Sequence, residues 1–95
     1  MKFLIGPHSG STGKRPANAI DLLWQRLPVG HDDVSFARVG PEIVATWQEG
    51  APASFSIDAD GRVQIARRAV LEIVREVCGR TPELELDWFA VGFFN

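Results

Sequence analysis

The chain has 95 residues, of which 45% are hydrophobic and 23% charged, and its formal net charge is −2. That length suits one domain, and that balance gives neither the solvating excess of an acidic tail nor a field that would imply nucleic acid or an anionic membrane as partner. No stretch approaches the roughly 20 apolar residues that span a bilayer, and residues 3–5 are too short for a signal-peptide apolar region, so a cytoplasmic protein is expected.

Residues 2–5 read as a short strand. Residues 6–16, GPHSGSTGKRP, follow as a loop richer in glycine, hydroxyls and charge than a connector needs. Ile20, Leu23, Trp24 and Leu27 then recur at helical spacing, with Pro28 as a stop. A strand, a glycine-rich turn and a helix can hold an anion on backbone amides and the helix dipole. His8, Ser9, Ser11, Thr12, Lys14 and Arg15 are the candidate ligands, supplying hydroxyls, positive charge and an imidazole. A phosphate-loop NTPase is excluded, because a loop ending at Gly13-Lys14 needs glycine where His8 stands and a magnesium-binding hydroxyl where Arg15 stands. The spacing of Gly6, Gly10 and Gly13 also fails the dinucleotide fingerprint.

His31-Asp32-Asp33 is a polar cluster just ahead of the next strand. Three adjacent residues in extended chain cannot all face one ion, so a turn is expected there rather than a metal site. Residues 34–39 and 42–48 form a strand pair around Gly40-Pro41, a dipeptide that presets a turn. After a short loop at residues 50–52, Phe55, Ile57, Val63 and Ile65 are apolar at alternate positions around Asp58-Ala59-Asp60-Gly61, which reads as a second hairpin. A calcium loop using the same aspartates would place Arg67 where a carboxylate must stand, so calcium is not expected.

From Ala66 the period lengthens to that of a helix. Ala66, Ala69, Val70, Ile73, Val74 and Val77 share one side, and Arg67, Arg68, Glu72, Arg75 and Glu76 the other, with Gly79 as a left-handed cap and Pro82 as a stop. Cys78 is the sole cysteine, so it reads as a small buried hydrophobe and rules out an intrachain disulfide. Residues 84–93 read as a last strand, with Leu86 and Trp88 on one face. Its other face turns apolar at Phe89, Val91 and Phe93, a surplus that needs a second cover.

The expected fold is α+β: an antiparallel-rich sheet of five or six strands with two helices on one face, in the order βαββββαβ, with Trp24, Ile43, Trp47, Phe55, Ile57, Val70, Ile73 and Leu86 in the core. No convincing set of acid, base and nucleophile is present, and no metal or cofactor is expected. The functional reading is a small non-catalytic interaction module that self-associates, in the simplest case as a dimer, through Phe89, Val91, Phe93 and Phe94. The alternative is a ligand-binding domain or enzyme that takes an anionic or phosphorylated ligand on residues 6–16.

Overall fold

A computed structural model describes residues 1–8, 15–28, 30–31, 33–48 and 59–93. Its elements in chain order are β1 (Lys2–Pro7), α1 (Ala19–Arg26), β2 (Gly30–His31), β3 (Val34–Val39), β4 (Glu42–Trp47), α2 (Ala59–Arg80), a single 3₁₀ turn (Leu86–Trp88) and β5 (Phe89–Phe93). The strands form one sheet in the order β2-β3-β4-β1-β5, and every pairing is antiparallel. α1 leads from β1 to β3 with β4 between them, and α2 leads from β4 to β5 with β1 between them. This is the interlocked split β-α-β arrangement.

Register explains why one face is buried. Val34 lies across from Trp47, Phe36 from Ala45, Ala45 from Phe3, Ile43 from Ile5, and Ile5 from Val91, so alternate residues of four strands share one side. That side joins Ile20, Leu23 and Leu27 from α1 and Ala66, Val70, Ile73, Val74 and Val77 from α2 in a single core. Phe3, Ile5, Leu23, Ile43, Val70 and Val74 have no meaningful exposure and form its centre. The opposite side carries Ser35, Ala37 and Val39 of β3, Glu42, Val44 and Thr46 of β4, Lys2, Leu4 and Gly6 of β1, and Ala90 and Gly92 of β5. α1 is tied to the sheet at its rim as well, where Arg38 meets Asp21 at 2.6 Å.

Both short turns are as expected. Val39 pairs with Glu42 around Gly40-Pro41, and Gly40 has φ +58°, the hairpin pattern with glycine at the first central place. Arg38 Nε fastens that turn by donating to the Gly40 carbonyl at 2.8 Å. His31 pairs with Val34, and Asp33 lies in a turn between them, while Asp32 is outside the described residues.

Three expectations are corrected. The sheet has four strands of five or six residues plus the two-residue β2 at its edge, because residues 62–65 are not strand but part of α2. Val63 is half-buried on the line that continues through Ala66, Val70 and Val74, whereas Ile65 falls outside it and is 48% exposed. Helix formation thus extends the apolar stripe by one turn. Residues 54–57, including the expected core residues Phe55 and Ile57, lie outside the described residues. Second, α2 runs through Gly79 to Arg80, so Gly79 is helical and not a left-handed cap.

Third, residues 84–88 are not strand. Trp88 N–H donates to the Glu85 carbonyl and Phe89 N–H to that of Leu86, which closes a 3₁₀ turn before β5 begins. A turn of about three residues resets the alternation by half a period. Phe89 and Val91 therefore point into the chain's own core, with 7% and 4% exposure, and cannot be interface side chains. Leu86, Trp24 and Trp47 are half-buried against that core.

Candidate functional site

β5 is an edge strand, so one side of its backbone has no neighbouring strand in the sheet. Its outward groups follow from parity. His8 N–H donates to the Trp88 carbonyl at 2.9 Å, which makes the even-numbered pairs Gly6 with Ala90 and Leu4 with Gly92 the hydrogen-bonded ones. Phe89, Val91 and Phe93 consequently turn both amide and carbonyl away from β1. Among the described residues two of these six groups have partners: Phe89 N–H donates to the Leu86 carbonyl, and the Val91 carbonyl accepts from Arg67 Nε at 3.1 Å. Arg67 reaches the strand from the flank of α2, one position past buried Ala66.

Phe93 closes the strand. Its ring lies 6.0 Å from that of Phe3 at an interplanar angle of 34°, and 60% of the residue is exposed, the most of any described large hydrophobic residue. Phe94, the other expected interface residue, lies outside the described residues. Phe93 and the neighbouring backbone are thus brought together, while Phe89 and Val91 contribute backbone alone.

Arg67 was not singled out by sequence, since it reads as one more charge on the outer face of α2. Its signal is position: it shares a ridge with Val63, Val70 and Val74, and a long cationic side chain at the margin of an apolar stripe can lie along the sheet with its head at the rim.

The anion-loop residues divide. His8 ends the first strand's ladder, and Arg15 Nη1 donates to the His8 carbonyl at 3.0 Å, joining the two ends of the loop. Ser9, Ser11, Thr12 and Lys14 lie outside the described residues. Elsewhere, a cleft of about 280 Å³ between β3, β4 and α2 is lined by Asp33, Val34, Trp47, Ala69, Glu72, Ile73 and Glu76. Glu76 of that cleft already pairs with Arg80. Among the described residues no cluster of histidine, cysteine and carboxylate side chains has the geometry to hold a metal. Cys78 is 9% exposed, and burial raises its thiol above the usual range, so it stays protonated near neutrality and is a poor nucleophile. No described helix is long and apolar enough to cross a membrane.

Fold and surface together define a small split β-α-β domain with a partly occupied edge strand. No family model, curated protein or solved structure matches the chain.

Proposed function

We propose that the protein is a small non-catalytic interaction module that associates with a second copy of itself through the end of its C-terminal strand. The observation that carries this reading is Phe93, 60% exposed at the edge of the sheet. A large aromatic ring at an edge is a natural anchor for a contact, because it covers area at little entropic cost and a twofold axis uses it twice. The same reading puts the chain in the cytoplasm, where a lone thiol such as Cys78 stays reduced.

Sedimentation equilibrium of the intact protein and a Phe93→Ser variant tests it. Burying the exposed 60% of two rings is worth about 2.4 kcal/mol at about 2 kcal/mol per buried aromatic side chain, so the dissociation constant should rise about fiftyfold in the variant. Because Phe93 is largely outside the core, the variant should keep its circular dichroism spectrum. An intact protein that remains monomeric at concentrations of tens of micromolar, about where weak dimers form, rejects the reading.

A further inference from the structure

We infer that the β5 edge pairs antiparallel with the β5 edge of a second copy, centred on Val91, and that Arg67 is the intramolecular competitor that holds this edge shut. The inference rests on the self-association proposed above and adds to it the geometry of the contact and a residue that controls it.

The argument begins with the outward groups of β5. The Phe89 carbonyl, the Val91 amide and both groups of Phe93 face away from β1 and have no partner among the described residues. In an antiparallel pair a hydrogen-bonded position exchanges two bonds between residues that lie directly opposite, and a twofold axis at Val91 sets that residue against its own equivalent. Phe93 N–H then meets the partner's Phe89 carbonyl, a group that is open. The Phe89 amide is the only outward donor excluded, because the Leu86 carbonyl already holds it. A register centred on Gly92 would also engage the Val91 amide, at the partner's Phe93 carbonyl, but it sets Phe89 beyond the end of the partner's strand, whereas centring on Val91 keeps all five residues of β5 opposite one another.

Side chains agree with this register. Phe89 and Phe93 share the helix-covered face, so each exposed Phe93 ring would stand at the position opposite the partner's Phe89, whose own ring stays buried in its core. No described charged side chain of β5 opposes the approach, since the strand reads FAVGF.

One bond stands in the way. The Val91 carbonyl accepts from Arg67 Nε, and this carbonyl is the central acceptor of the proposed pair. Each copy must release Arg67 before the central exchange can form. Edge strands commonly carry such charged guards against indiscriminate pairing, and a guard that occupies one acceptor weakens association without abolishing it.

Two measurements test this on the full chain. Arg67→Met keeps the aliphatic stem and removes the donor; sedimentation equilibrium should show association about a hundredfold tighter, a factor of about ten for each of the two charge-assisted bonds that compete with the contact. Amide hydrogen exchange on the intact protein should show Val91 and Phe93 exchanging fast when dilute and protected when concentrated, while Ala90 and Gly92, bonded to β1, stay protected throughout. Association with the Val91 amide unprotected and no change in Arg67→Met overturns this inference and leaves the Phe93 contact standing. Tighter association in Arg67→Met with Val91 protection, but no effect of Phe93→Ser, supports the edge pairing and removes Phe93 as its anchor. A monomer in every form, with exchange independent of concentration, overturns both.

Discussion

Replacing Gly79 and Gly40 by alanine should move stability in opposite directions, although neither added methyl would meet an atom within 4 Å. Sterics of the neighbourhood therefore drop out, and backbone conformation alone decides the sign. Gly79 lies inside α2 with no positive φ and is exposed, so alanine gains helix propensity and removes unfolded-chain freedom, together about 0.5–1 kcal/mol so near a helix end. Gly40 has φ +58°, where a side chain crowds the following carbonyl at a cost of roughly 1–2 kcal/mol. For a chain of this length the unfolding entropy is about 0.2 kcal/mol per kelvin, so the midpoints should move up by about 2–5 °C and down by about 5–10 °C respectively. Urea denaturation followed by tryptophan fluorescence, with thermal melts by circular dichroism, measures both. A destabilised Gly79→Ala would show that this residue caps α2 in the left-handed region after all, and a neutral Gly40→Ala would remove the strained turn from the account of the β3-β4 hairpin.

Three further outcomes follow from the core and its rim. Leu23→Ala removes a side chain with no exposure from the centre of α1, and lost transfer energy plus a cavity should cost about 2.5–4 kcal/mol in urea unfolding; a loss below about 1 kcal/mol would place α1 outside the cooperative core. Asp21→Ala breaks the ion pair with Arg38, whose side chains are 53% and 28% exposed, so the cost should be at most about 1 kcal/mol and should shrink in molar salt. Burial keeps the Cys78 thiol protonated in the folded chain at pH values where the unfolded thiol, with a pKa of about 8.5, ionises. The folded state then binds more protons, so stability is lost as pH rises upward from about 8.5. Cys78→Ala should flatten that part of the curve, and identical slopes for both proteins above about pH 8.5 would refute the assignment.

The alternation of β3 and β4 and the turn residues Gly40-Pro41 were legible because pattern and turn chemistry agree at those positions. The helix after Ala66 was legible too, since Val70, Ile73, Val74 and Val77 repeat with its period. Residues 62–65 misled for a physical reason: Val63 and Ile65 alternate like a strand, yet Val63 alone also fits the stripe of α2, and joining an existing core outweighs forming a further hairpin. In residues 84–93 the conflict in apolar parity is legible, but a 3₁₀ turn resolves it within the chain. Nothing in residues 84–88 marks that turn as glycine or proline would. Of the candidate interface, Phe93 was legible as surplus apolar surface, whereas the Arg67 contact depends on where α2 lies across β5, which no local pattern encodes.

The interlocking of β1 between β4 and β5 orders events on the ribosome. β1 has both its neighbours, β4 and β5, in later parts of the chain. β3 and β4 can close their hairpin early by local contacts, and α2 can begin to form behind them, but the ladder joining Phe3 to Phe93 waits until β5 has emerged. Until then Phe3 and Ile5, which end at the centre of the core, are two apolar side chains on an unpartnered stretch of nascent chain.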